Sequence, residues 1–267
     1  MKRLFTIVLS TIIVTGLFAQ GFTELNTMLE AVSESSVAFA DVDGDMDQDV
    51  LITGESQAGG RVAKLYKNDG AGQYTEVSTP FLGVVNGSSA FADVDGDMDQ
   101  DVLITGGILN QQLPFAQLYT NDGSGTFTAL TTPIIGVADG AVAFADIDGD
   151  MDQDVIVTGR LSDFTQVAKL YVNNGSNQFS EVTTPFTGVR SGSVNFADVD
   201  GDMDQDLMIT GQTSSGSVAS LYINDGNGQF TESSNTFPGV RFSSVAFADV
   251  DGDADQDLLL TGLTTNF

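Results

Sequence analysis

The sequence predicts an all-β protein, a β-propeller built from four-stranded antiparallel blades of about 52 residues per repeat. Three observations carry this. A nine-residue segment with aspartate at every second position recurs at 41–49, 93–101, 146–154, 198–206 and 249–257, so its copies start 52, 53, 52 and 51 residues apart. Between the copies, short alternating or β-branched runs alternate with Asn/Asp-Gly turns, which are strand and hairpin signals. Beyond the first twenty residues no stretch has a convincing helical period. A β-sandwich is the rival architecture, but it gives no reason for so strict a period.

Each repeat reads as strands A to D. "SVAFADV" and "DVLITG" flank the first acidic segment as A and B, "AKLYKN" is C, and "QYTEVSTPF" after the "NDGAG" turn is D. From each first aspartate to the Gly of the next "TG" (Gly54, Gly106, Gly159, Gly211, Gly262) there are 13 positions. From the Leu of "LY" (Leu65, Leu118, Leu170, Leu221) to the next acidic segment there are 28. The length variation lies between these marks, at 11, 12, 11 and 10 positions, so one segment per repeat, B to C, is free to vary.

"GFTELNTML" from Gly21 aligns with "GQYTEVSTP" from Gly72, so the order is D, then A-B-C-D four times, then A-B. This gives four full blades plus partial ones. The incoming D strand would meet an A-B pair with no C strand between them, so the expectation is a fragment of a larger propeller. About fifteen more residues would finish a five-bladed ring, and two further repeats would allow seven. A closed five-bladed ring with a three-stranded last blade is the alternative.

The chain has 267 residues, 41% apolar, with a formal charge of −28. Five aspartates in each of five segments make up 25 of the 37 acidic residues, so the acidity is local and periodic rather than that of a disordered tail. Nine basic residues that do not cluster exclude a nucleic-acid partner. With no Cys and no His, thiolate and imidazole metal sites are excluded, as are disulfides and the commonest general base. Any metal must be held by oxygen.

The start, "MKRLFTIVLSTIIVTGLFAQ", has Lys2 and Arg3 before an apolar run to Ala19. The run is shorter than the ~20 residues that span a bilayer, and a polar chain follows, so 1–19 reads as a signal peptide with the repeats in 20–267. Cleavage after Gly16 and an uncleaved membrane anchor are the other readings. A secreted or cell-surface protein is expected, with no transmembrane segment after cleavage.

Extended strands would space alternate carboxylates by ~6.5–7 Å, and each close pair would repel by roughly 1 kcal/mol even in water. Such crowding calls for a counter-charge. Calcium takes six to eight oxygens at ~2.3–2.6 Å, so the segment must curl, with Gly44, Gly96, Gly149, Gly201 and Gly252 supplying permissive backbone. The candidate ligands of the first loop are Asp41, Asp43, Asp45 and Asp49 by side chain and Asp47 by its carbonyl. The same roles fall to Asp93, Asp95, Asp97, Asp101 and Asp99; to Asp146, Asp148, Asp150, Asp154 and Asp152; to Asp198, Asp200, Asp202, Asp206 and Asp204; and to Asp249, Asp251, Asp253, Asp257 and Asp255. About one calcium per repeat is expected, up to five. An EF-hand is excluded, because its twelfth position is Ile52, Ile104, Val157, Ile209 or Leu260 within a strand. Nonapeptide rolls fail on the period.

"FADVDGDMDQDVLITG", then "LYxNxG" and "QFTE", resembles the FG-GAP/VCBS repeat of integrin-α-like propellers and of many secreted bacterial proteins. The resemblance covers residues 21–267. It implies calcium in the A-B hairpin loop at one end and ligand-binding loops mostly at the other. The family often has Gly at the sixth loop position, where this chain has Met46, Met98, Met151, Met203 and Ala254. That implies sites of different strength or shape. The literal Phe-Gly and Gly-Ala-Pro signatures are absent.

Function follows in two classes. One is a non-enzymatic adhesion or ligand-binding scaffold with mainly structural calcium, its unknown protein or glycan ligand on the B-C loop face, where "ESQAGGRVA", "GILNQQLPFA", "RLSDFTQVA" and "QTSSGSVAS" vary. The other is the propeller portion of a secreted enzyme, polysaccharide lyase or lipase-like, whose catalytic part lies outside this chain. No enzyme is expected within the chain itself, since no unique residue set breaks the repeat as an active site should. Arg61, Arg160, Arg190 and Arg241 could hold an acidic polymer. The recurring Tyr66, Tyr119, Tyr171 and Tyr222 read as packing rather than as a sugar platform.

Overall fold

A computed structural model describes residues 27–108 and 113–264. Residues 1–19, expected to be a signal peptide, and the D strand expected from Gly21 apart from 27–29, lie outside the described residues. Residues 27–31 carry no regular structure.

The described residues are all β, without helix, and form four antiparallel four-stranded blades. The first is β1 (Val32–Ala40), β2 (Asp49–Ser56), β3 (Arg61–Asn68) and β4 (Tyr74–Val77). The second is β5 (Ser89–Ala92), β6 (Asp101–Ile108), β7 (Leu113–Asn121) and β8 (Phe127–Leu130). The third is β9 (Ala138–Ala145), β10 (Asp154–Arg160), β11 (Gln166–Asn173) and β12 (Phe179–Val182). The fourth is β13 (Val194–Ala197), β14 (Asp206–Thr213), β15 (Gly216–Asn224) and β16 (Phe230–Glu232). A fifth repeat contributes the hairpin β17 (Val240–Ala248) and β18 (Asp257–Thr264), joined to the fourth blade through the single pair Val218–Val240. Each acidic segment is the A-B hairpin loop, closed by a pair such as Ala40–Asp49. The variable segments are the B-C loops at the opposite end; the second of these, 109–112, lies outside the described residues.

The D strands are shorter than the sequence suggests. "QYTEVSTPF" is strand only over Tyr74–Val77. Pro80 cannot donate a ladder hydrogen bond, so the rest becomes the crossing to the next blade.

Among the described residues the apolar cores lie between successive repeats, apart from one that Val50, Ile52 and Tyr66 form on the first blade. Val42, Leu51 and Leu65 of the first blade meet Val102, Ile104, Tyr119 and Phe127 of the second. Leu103 and Leu118 meet Val155, Val157 and Tyr171, and Ile156 and Leu170 meet Leu207, Ile209 and Tyr222. The tyrosines are packing residues. Each buried hydroxyl accepts from the backbone of the incoming connector: Tyr119 from Leu82, Tyr171 from Ile135 and Tyr222 from Thr187. Glu30 donates to Tyr66 in the same way, at 3.1 Å, so residues just before β1 run as a D-A connector. Among the described residues nothing covers the far side of the fifth hairpin in this way: Val250 and Leu259 are 77% and 66% exposed, whereas the equivalent Val94 and Leu103 are 1% and 0% exposed.

The invariant "TG" has a steric cause. At the outer end of strand A one residue adopts left-handed φ (Glu34, Asn86, Asp139, Ser191, Phe242), and the A-B register slips there, as between Arg241 and Ser244. Strand B must pass close to this bulge. A Cβ on Gly54 would lie 2.7 Å from the Ser33 carbonyl oxygen, and Gly54 has φ +149. Only glycine fits there.

Candidate metal centre

The five acidic loops share one construction. The first aspartate organises the turn: Asp41 Oδ1 accepts from the N–H of Gly44 at 2.8 Å, and Asp41 Oδ2 from Met46 at 2.8 Å. Asp93, Asp146, Asp198 and Asp249 do the same for their own loops. These bonds explain how the sixth position does without glycine. Met46, Met98, Met151, Met203 and Ala254 have φ between 71 and 76, a region that glycine favours. A carboxylate oxygen bonded to each of their N–H groups holds the strained turn. The third aspartate of a loop accepts from the fourth, as Asp45 does from the N–H of Asp47 at 2.9 Å.

In the first four loops the fifth aspartate is buried at the root of the loop. Asp101 Oδ2 accepts from Val94 and its Oδ1 from Asn121, at 2.9 and 2.8 Å. Asp49, Asp154 and Asp206 repeat the pattern. Burial pushes these carboxyls up, against the backbone donors: Asp101 to about 6 and Asp154 to about 7, with Asp49 and Asp206 also raised. Neighbouring aspartates of the same loop add to the rise.

The second aspartate has different partners in different loops. Asp95 Oδ2 accepts from Asn177 Nδ2 of the next blade at 3.0 Å, and Asp43 Oδ2 pairs with Lys67 of its own blade at 3.0 Å. The other oxygens, Oδ1 of Asp43, Asp95 and Asp148, are buried without a hydrogen-bond partner. The fourth aspartate leans on the C-D turn: a Cβ on Gly70, Gly123, Gly175 or Gly226 would come within 2.3–2.5 Å of an oxygen of Asp47, Asp99, Asp152 or Asp204.

The fold brings together carboxylate oxygens within 4.8 Å of one another in every repeat. They belong to Asp41, Asp43 and Asp45; Asp93, Asp95 and Asp101; Asp146, Asp148 and Asp154; Asp198, Asp200 and Asp206; and Asp249, Asp251 and Asp257. These sets are compatible with calcium. An all-oxygen, dianionic or trianionic donor set suits a hard cation, and the orphaned buried oxygens of Asp43, Asp95 and Asp148 are acceptors that a cation would satisfy.

The FG-GAP-like repeat matches residues 41–104, 93–157, 146–209 and 198–260. The chain belongs to this family. Four overlapping matches place one family unit across each junction from an acidic loop into the next blade. No curated protein matches the chain in sequence. Among solved structures, the Vibrio cholerae biofilm matrix protein Bap1 is similar over 86% of this chain and 35% of its own, at 19% identity and TM-score 0.43. A β-fructofuranosidase from Schwanniomyces occidentalis, complexed with fructosyl-erythritol, is similar over 86% and 53% at 11% identity and TM-score 0.47. The chain therefore spans about a third and about half of the length of these two.

Sequence reasoning missed the residues that tie the loops to one another. Asn121, Asn173 and Asn224 end their C strands, and each donates from Nδ2 to the carbonyl of Val42, Val94 or Ile147 in the preceding loop, at 2.7–2.9 Å. The Asn of "LYxN" was visible as a repeated letter. Only the fold shows that it crosses to another blade.

Proposed function

We propose that this propeller is an exported, calcium-stabilised scaffold that binds a ligand without catalysing a reaction. The single observation that carries the reading is the division of labour between its two ends. At one end the loops are built alike, with acidic oxygens converging at each blade root. At the other, the B-C segments 57–60, 161–165 and 214–215 differ in length and composition. A uniform acidic end suits a repeated structural ion, and a variable end on a rigid frame suits recognition.

Calcium would be held by the first, second and fifth aspartates of the second to fifth loops and by Asp41, Asp43 and Asp45 of the first, and would supply the charge that lets them lie together. The protein's own part is to orient them through Asp41-type turns and buried Asp101-type roots. Export is inferred from the leader 1–19, and extracellular calcium is abundant enough for weak sites of this kind. Among the described residues no helix is long and apolar enough to cross a membrane.

The test replaces segments 57–60 and 161–165 by Gly-Ser linkers of equal length and measures adhesion to glycan- and protein-coated surfaces in millimolar calcium. Loss of adhesion with an unchanged melting midpoint supports the reading. Undiminished adhesion contradicts it.

A further inference from the structure

The five left-handed residues at the head of strand A lie side by side, linked in a chain of backbone hydrogen bonds. The N–H of Asn86 donates to the carbonyl of Glu34 at 2.9 Å, Asp139 to Asn86 at 2.7 Å, Ser191 to Asp139 at 2.6 Å and Phe242 to Ser191 at 2.6 Å. One residue from every repeat is thus fixed by backbone to its neighbour. Together with Ser35, Gly87, Gly140, Gly192 and Ser243 they line an open cavity of about 310 Å³. It lies at the end that carries the B-C loops.

Four of the five are Glu, Asn, Asp and Ser. Asn and Asp are the non-glycine residues that enter left-handed space most readily, so they fit the bulge on conformational grounds. Phe242 does not. It has φ +46, no steric tolerance for it, and a ring that is 65% exposed beside Arg241, whose Cζ lies 5.7 Å from the ring centre. An exposed aromatic held in a costly backbone conformation is a local violation of folding preference, and such violations gather at functional sites.

We propose that this cavity binds one ring of a neutral sugar. Phe242 supplies an apolar face for the ring's C–H groups. Asn86 offers both a donor and an acceptor, Ser191 a hydroxyl, and Glu34 and Asp139 carboxylates for hydroxyl groups. Asn86 Nδ2 already donates to Glu34 Oε2 at 3.1 Å, and Arg160 pairs with Asp139, so the polar groups are oriented before a ligand arrives. Arg160 offsets the charge of Asp139 and Arg241 stands beside Phe242, so neither sign of charge dominates and a neutral ligand fits. The volume, at the low end for ligand cavities, suits a single ring rather than an oligosaccharide.

This inference rests on the ligand-binding reading above and names its site. The test titrates the calcium-loaded chain with glucose, galactose, mannose and N-acetylglucosamine, following backbone amide shifts. Shifts at Gly87, Gly140, Gly192 and Phe242 are expected for at least one sugar. Phe242→Asn, which suits left-handed backbone, weakens that binding at least tenfold while the melting midpoint stays the same or rises. Shifts confined to 57–60 and 161–165 would overturn the sugar site but leave the scaffold reading standing. No shift with any sugar, or binding unchanged in Phe242→Asn, would also overturn it, and the adhesion assay judges the scaffold reading separately.

Discussion

Asn173 bridges two blades: its Nδ2 donates to the Val94 carbonyl, 79 positions earlier, at 2.7 Å, while its own N–H donates to Asp154 Oδ1 at 2.8 Å. Asp154 Oδ2 in turn accepts from Ile147, whose carbonyl accepts from Asn224. Repeated from Val42 to Val199, this makes one hydrogen-bonded path through the roots of four acidic loops.

Asn173→Ala should therefore cost more than a lost surface contact. It leaves the Val94 carbonyl buried without a donor, at about 1–3 kcal/mol. Chemical denaturation checks this, and a cost below ~0.5 kcal/mol would show that the path carries no stability.

The first loop differs from the others, because Lys67 already pairs with Asp43 where the second blade has Thr120. An ammonium 3.0 Å from a candidate ligand competes with a cation. Lys67→Thr should raise calcium affinity at this loop several-fold and leave the other four unchanged, as read by calorimetric titration. Unchanged affinity at the first loop would show that Asp43 is not a ligand.

Acidity should act on the metal-free chain in an unusual direction. Asp101 and Asp154 have folded pKa values of about 6 and about 7, above the ordinary carboxylate value of 3.8. The folded state thus binds more protons than the unfolded state between about pH 4 and 7, and stability falls as pH rises through that window. Carboxyls held low, such as Asp69 and Asp122, oppose this only near pH 4, because above about pH 5 they are almost wholly ionised in both states. In chelator, the melting midpoint should be higher at pH 5 than at pH 8, and calcium should shrink or reverse the difference. A higher midpoint at pH 8 in chelator would contradict the assigned burial.

Much of this architecture was legible in the sequence. The Asp loops, "TG" and "LYxN" are local patterns that recur in register, so strand order and loop position followed from spacing. The blade junctions were not legible. Asn173 reaches Val94 only because successive blades stack, and no local period encodes that. The left-handed chain was hidden for a related reason: Glu34, Asn86, Asp139, Ser191 and Phe242 share no side-chain type, only a backbone conformation. Conversely, Met46 and its equivalents looked anomalous for a glycine position, and the Asp41 hydrogen bonds account for them.

If calcium balances the crowded carboxylates of every repeat, thermal unfolding must depend on it. Extracellular calcium modules often bind at about 10⁻⁴ to 10⁻³ M, and ligand at 100 times that constant adds ~2.7 kcal/mol per independent site. The melting midpoint should rise by many degrees between excess chelator and saturating calcium, and magnesium at the same concentration should give less. A melt that is the same in chelator and in calcium would contradict it.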